Sequence, residues 1–500
     1  MAAGLRIRSV PSPARFLIAV PLILSALPAS AAGAALSPCR LPGVEYDALC
    51  GTLQRPLDPA APQGTKIDLH FAVLPALARQ KKPDPVFFFA GGPGQSAIDL
   101  AGPVSRMLAR LANRRDLVLI DQRGTGRSAP LVCDPPSATR PLREVADPAR
   151  QREQLVECRK RLQALPYGDL RQFTTTIAMQ DADAVRQALG AERINAVGGS
   201  YGTRAVLEYQ RQFPQAVRRS VIDGVAPADM ALPAAFSGDA QAAFDALLAA
   251  CQAEAGCATR HPALQAQWRA LLASLPRELV VVHPVTGRDE RLTMTREMLT
   301  GMVRGPLYSP VLTSALPFAI GEAAAGRFAP LIGLSSALVG NSRSAMIAMG
   351  MHFSVVCAED APRSAASADR PGADFGGSLS DLYARVCADW PRGVVPPAFY
   401  SLPVAATPVL AFSGGIDPVT PPRHGERVTQ ALGAKARHVV VPNAGHGLLS
   451  LPCVRDVVFR FIDADSDDAA AKVDAGCAAA IPRPPAFAPV SPVAASGVPK

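Results

Sequence analysis

Ala196-Val197-Gly198-Gly199-Ser200-Tyr201-Gly202-Thr203 joins a β-rich run, Arg193 to Val197, to a helical run, Thr203 to Phe213, that stops before Pro214. Gly198-x-Ser200-x-Gly202 matches G-x-S-x-G, the pattern of a turn that carries the chain from strand to helix and exposes a serine at its apex. The turn strains the serine backbone. Small neighbours permit it and leave room for a carbonyl to approach Ser200. The helix that follows points its free N–H groups and the positive end of its dipole at that spot, which suits a developing oxyanion. A glycine-rich βα turn can carry the same five residues by chance. The strand before and the helix after favour a nucleophile.

Moving outward, Pro85 to Ala90 and Asp116 to Asp121 are apolar runs of strand length, and Ile67 to Val73 is a short β-like run. Thr174 to Leu189 reads as a helix stopped by Gly190. Ser220 to Asp223, Thr407 to Ser413 and Ala436 to Val441 read as further strands. Strands alternating with helices predict an α/β fold, a doubly wound and mostly parallel sheet. From Ala228 to about Leu402 the rhythm breaks into Ala-rich helical pattern, with loops at Pro284 to Gly287 and Ser364 to Gly377. Because the sheet pattern returns afterwards, residues 229–402 are expected as a helical cap inserted between 32–228 and 403–480 of the core. Residues 481–500, rich in Pro, Ala and Val with almost no charge, are expected to be a disordered tail.

Residues 1–31 have the pattern of a signal peptide. Arg6, Arg8 and Arg15 precede the apolar run Phe16 to Leu27, and Ala29-Ser30-Ala31 offers a cleavage site. The run is short for a membrane span and contains Pro21, so a secreted or periplasmic protein without stable membrane insertion is expected. The formal charge of +9 falls to +6 without this segment. Its Lys and Arg are scattered, which argues against nucleic acid as a partner. All ten cysteines follow the cleavage site. An even number in an exported chain implies disulfides. Consecutive pairing is the local expectation, although spacing alone leaves other connectivities open. There is no C-x-x-C, and no metal or cofactor is expected.

A serine hydroxyl needs a base, and the base needs an orienting acid. In elbow enzymes the chain order is Ser, acid, His. Of seven histidines, the order removes His70, while His424 falls in a helical and His438 in a strand pattern. His446, in Asn443-Ala444-Gly445-His446-Gly447, sits in a loop after a strand, where functional groups of open α/β sheets collect. Asp417, in Gly414-Gly415-Ile416-Asp417-Pro418, is the candidate acid, with Asp223 in reserve. The backbone N–H groups of Tyr201 and of Gly92, in Gly91-Gly92-Pro93-Gly94, are the candidate oxyanion donors. Gly124-Thr125-Gly126-Arg127-Ser128-Ala129 imitates a dinucleotide fingerprint, but Pro130 and then Cys133-Asp134-Pro135-Pro136 leave no helix to hold a pyrophosphate.

These pieces, with Asp121-Gln122-Arg123-Gly124-Thr125-Gly126-Arg127-Ser128 and Ser413-Gly414-Gly415-Ile416-Asp417-Pro418-Val419-Thr420-Pro421, run in order from about residue 85 to 450. They resemble the proline iminopeptidase and tripeptidyl aminopeptidase family of α/β-hydrolase serine peptidases. The long exported form with a large insertion looks like the tripeptidyl-aminopeptidase branch, with 403–480 as its TAP-like part. One departure is Ala90, where many relatives carry His. The resemblance implies release of amino acids or short peptides from substrates with a free N-terminus. It also implies that Glu359 and Asp360 in the cap bind the substrate ammonium. A carboxylesterase or lipase-like hydrolase of the same fold is the alternative, and a non-catalytic binding protein the third reading.

Overall fold

The computed structural model describes residues 1, 2, 4, 35–134, 137–145, 147–337 and 346–489. The expected signal peptide lies almost entirely outside them. Among the described residues there are eleven strands: β1 (Leu36–Cys39), β2 (Ala48–Pro56), β3 (Lys66–Leu74), β4 (Val86–Phe89), β5 (Leu117–Ile120), β6 (Ile194–Gly199), β7 (Val217–Asp223), β8 (Arg277–Val282), β9 (Asp289–Met294), β10 (Val409–Gly414) and β11 (Ala436–Val441). Nine of them form one sheet in the order β1-β2-β3-β5-β4-β6-β7-β10-β11. β5, β4, β6, β7, β10 and β11 run parallel, while β1, β2 and β3 extend the sheet with antiparallel pairings.

β4 and β5 are apolar throughout because both faces of the sheet are covered there. In β4 every residue is buried, and alternation sends Phe88 to one face and Phe87 and Phe89 to the other. Phe88 joins Leu119, Val197, Phe412 and helix residues Val104, Val457 and Phe461. Phe87 and Phe89 join Ile222 and helix residues Met179, Val185, Val206 and Val428. Helices thus cover both faces, and the expected doubly wound α/β-hydrolase arrangement is present.

Between β7 and β10 the chain forms a cap with its own core, built on Phe244, Trp268, Leu299, Ile320 and Leu331. The cap is not wholly helical: β8 and β9 pair as an antiparallel hairpin. The loop expected at Pro284 to Gly287 is its turn. The cysteines form five bridges, each between cysteines that follow one another in the chain, Cys39–Cys50, Cys133–Cys158, Cys251–Cys257, Cys357–Cys387 and Cys453–Cys477.

The expectation of a disordered tail from residue 481 needs correction for its first half. The Phe487 amide donates to the Ser314 carbonyl at 2.9 Å, and its ring meets Phe318 edge-on at 5.5 Å. Ile481 and Ala486 pack on the core and cap clusters respectively. Low charge alone does not free a segment that has apolar groups to bury and a surface that accepts them. Residues 490–500 lie outside the described residues.

Candidate active site

Ser200 follows β6 and precedes the helix Tyr201–Gln212, with φ 56° and ψ −125°. Positive φ is unusual for a residue with a side chain, and such strain collects at functional positions. The surroundings hold it there. The Ser200 amide donates to the Asp223 carbonyl at 2.8 Å, and Thr203 Oγ1 donates to the Ser200 carbonyl at 2.6 Å. A Cβ at Gly198 would collide with the Gly202 carbonyl, and one at Gly202 with the Phe89 carbonyl. Both motif glycines are therefore required by close backbone approach.

His446 lies in the loop after β11. Its amide donates to the Tyr308 carbonyl at 2.9 Å, and its ring meets Tyr308 edge-on at 5.4 Å. Nδ1 donates to Asp417 Oδ2 at 2.8 Å. Asp417 has no exposed side-chain surface. Its Oδ1 accepts the Val419 and Thr420 amides at 2.8 and 2.9 Å, and its Oδ2 accepts the Thr420 hydroxyl at 2.8 Å. Burial pushes the Asp417 pKa up, but His446 and these donors outweigh it and hold the carboxyl below its ordinary value. Burial alone would lower the His446 pKa; Asp417, aided by Asp223, raises it above the ordinary value instead. A Cβ on Gly224 would lie 3.2 Å from His446 Cε1. The imidazole thus packs on the turn whose preceding residue, Asp223, holds the Ser200 amide.

Asp223 itself faces elsewhere. Its carboxylate accepts the Leu448 and Leu449 amides at 3.1 and 2.8 Å, and burial pushes its pKa up to about 6. It braces the segment after His446.

Gly91 approaches the elbow closely: a Cβ there would lie 3.3 Å from Ser200 Cβ. Gly92, with φ 111°, continues the loop. Asp121 supports this region from behind, accepting the Ser96 hydroxyl at 2.6 Å and the Ile98 and Arg127 amides at 3.2 and 3.1 Å. Gly126 is needed because a Cβ there would enter the Asp121 carboxylate. Arg123, fully buried, donates to Asp181 at 2.7 Å and to the Leu57 and Gln172 carbonyls. The Asp-Gln-Arg-Gly block is a brace, and its glycines serve packing rather than a pyrophosphate.

The expected role of Glu359 and Asp360 is not supported by where they lie. Both are fully buried. Asp360 receives two hydrogen bonds from Arg204 of the elbow helix, each at 3.0 Å. Glu359 Oε1 accepts the Thr175 amide at 2.7 Å, and its Oε2 accepts Arg204 at 3.3 Å and the Thr175 hydroxyl at 3.0 Å. With their oxygens engaged under the elbow helix, they anchor the cap to the core and present nothing to a substrate ammonium. Burial, with Asp360 alongside, pushes the Glu359 pKa up to about 7 against the pull of Arg204.

Three contributors escaped the sequence reading. Thr420 carried a signal, since Asp-x-x-Thr at the end of a strand allows a hydroxyl to return to the carboxylate. Tyr308 and Arg204 had none, because their partners are far away in the chain.

The chain matches the family model described as alpha/beta hydrolase fold over residues 84–249, and that described as TAP-like protein over residues 373–473. It is similar to the serine protease Hip1 of Mycobacterium tuberculosis, at 28% identity over 443 residues, 79% of this chain and 82% of that protein. It is also similar to the tripeptidyl aminopeptidase of Streptomyces coelicolor, at 27% identity over 483 residues, 87% of this chain and 84% of that protein.

Proposed function

We propose that this chain, an α/β-hydrolase of the serine peptidase family with a TAP-like C-terminal part, cleaves short peptides from free N-termini through an acyl-enzyme on Ser200. The observation that carries the reading is the buried Asp417–His446 hydrogen bond at 2.8 Å, set against the turn that holds the strained Ser200 elbow. His446 takes the Ser200 proton as the hydroxyl attacks the scissile carbonyl. The same proton then goes to the leaving amine, and His446 next activates the water that releases the peptide. Asp417 keeps Nδ1 protonated, so Nε2 is the basic nitrogen, and stabilises the imidazolium. The Gly92 and Tyr201 amides receive the oxyanion of each tetrahedral intermediate. Five disulfides support an exported protein.

Preference for a free N-terminus rests on the tripeptidyl aminopeptidase relative. A panel of free and N-acetylated tripeptidyl amides, with small neutral esters beside them, tests it. Free amides should be cleaved at least about tenfold better in kcat/KM than acetylated ones, a difference of about 1.4 kcal/mol. Equal cleavage of free and acetylated substrates removes the aminopeptidase reading. Turnover of esters alone leaves the carboxylesterase reading.

A further inference from the structure

We infer that His352 of the cap is a positioning residue for the oxyanion loop, gripping the Pro93 carbonyl and being held in turn by Tyr383. The inference rests on Gly91-Gly92-Pro93-Gly94 being that loop. His352 Nδ1 lies 3.1 Å from the Pro93 oxygen, and Nε2 lies 2.7 Å from the Tyr383 hydroxyl. A carbonyl only accepts, so Nδ1 carries the proton, and Nε2 of the neutral ring accepts from the Tyr383 O–H. Burial pushes the His352 pKa down to about 4, so the ring stays neutral where a serine hydrolase works. The Tyr383 hydroxyl is likewise held protonated by burial.

The grip is over-determined. His352 lies in the helix Met349–Glu359 and Tyr383 in the helix Ser378–Asp389, which the Cys357–Cys387 bridge joins. Phe353 packs on both Tyr383 and Trp390 at 5.2 and 5.4 Å between ring centres, and Trp390 Nε1 donates to Ser354 at 3.1 Å. The chain just before this helix makes a second hold, the Ala348 amide donating to the Gly94 carbonyl at 2.9 Å. Gly94 cannot bear a Cβ, which would lie 2.9 Å from the Ala348 oxygen. Pro93 has no N–H and Ala90 offers no polar side chain, so the loop depends on the cap for these two contacts. The Gly92 amide sits one peptide away from the gripped carbonyl. A donor displaced by about 1 Å forfeits up to about a hundredfold in rate.

The test compares His352→Phe, His352→Asn and Tyr383→Phe in the full-length mature protein. Readouts are kcat and KM on a peptidyl amide, affinity for a peptidyl aldehyde that forms a hemiacetal with Ser200, and affinity for the uncleaved peptide in a Ser200→Ala background. His352→Phe should lower kcat by roughly 10- to 100-fold with KM within about threefold, and weaken the aldehyde by a matching factor. Peptide affinity in the Ser200→Ala background should not move. His352→Asn, whose side-chain N–H occupies the place of Nδ1–H, should recover most of the loss. Tyr383→Phe should show a smaller loss of the same kind. A role confined to stability lowers the melting temperature and leaves the aldehyde affinity of the folded variant unchanged, and that result overturns the inference. If His352→Phe does not fold, unchanged aldehyde affinity in Tyr383→Phe overturns it. An inactive Ser200→Ala beside a fully active His352→Phe sinks this inference alone, whereas an active Ser200→Ala sinks the proposed function with it.

Discussion

At the scale of single residues, the proposed chemistry concentrates on Ser200, Asp417 and His446. Ser200→Ala should lose roughly three or more decades of kcat while keeping its melting temperature, and a fluorophosphonate should label Ser200 and no other serine. His446 must be neutral to act as a base, and its pKa is raised by Asp417. The acid limb of kcat/KM should therefore fall at a pH above the ordinary histidine value near 6.5. In Asp417→Asn the lost charge should drop that limb to lower pH, with residual activity cut severely. The same change at Asp223 should spare the limb by comparison, because its carboxylate serves the Leu448 and Leu449 amides. Chain order and loop context brought out these three candidates, and the structure places Asp417 and His446 in hydrogen-bond contact. Glu359 and Asp360 show where sequence runs out. A charged pair looks the same in sequence whether it faces a cleft or is neutralised from below. The partner that decides, Arg204, lies about 155 positions away.

At the scale of elements, the elbow helix Tyr201–Gln212 does two jobs. Its N-terminus supplies the Tyr201 amide, and one turn later Arg204 ties it to the cap helix Met349–Glu359 through Asp360 and Glu359. One cation faces two buried carboxyls, and the Glu359 pKa rises to about 7. The folded state therefore keeps a proton that the unfolded chain releases near the ordinary glutamate value of about 4.3. Stability from this group is complete below that value and falls as pH rises towards 7. Glu359→Gln should flatten the pH dependence of the melting temperature between about pH 5 and 7, read by calorimetry against the parent. It should leave the preference for free N-termini intact. Arg204→Met leaves both carboxyls without their cation and should cost about 3–5 kcal/mol. The strands were largely legible because the central sheet is buried on both faces and writes continuous apolar runs. The hairpin β8–β9 was not, because Glu278-Leu279-Val280-Val281-Val282 stands alone within an Ala-rich helical pattern.

At the scale of the whole molecule, every disulfide is local, with separations from 6 to 30 residues, and none crosses from the cap to the core. Denatured without reductant, the protein should show no free thiol, as all ten cysteines are paired. Docking of the cap is left to non-covalent contacts: Arg204 with Glu359 and Asp360, His352 on Pro93, Asp239 on His424 and Arg423, and the returning tail. That last contact is the easiest to remove. After Asn443 donates to the Ile481 carbonyl at 3.0 Å, the chain leaves the core, passes Arg260 and Glu254, and lays Phe487 on Phe318. The Phe487 amide is held by Ser314, six residues from Tyr308, which packs on His446. Among the described residues, deleting 481–500 removes Ile481, Ala486 and part of the Phe487 ring from apolar contact. This should cost about 1–3 kcal/mol and leave Ser200, Asp417 and His446 themselves in place. Hydrogen exchange should then quicken in 309–318 and 443–450 while the strands β4, β6 and β7 stay protected. A strap that steadies the wall over His446 predicts a rise in KM for peptides larger than any fall in kcat for a small ester. Unchanged exchange at 309–318 would show that the cap holds its place without the tail.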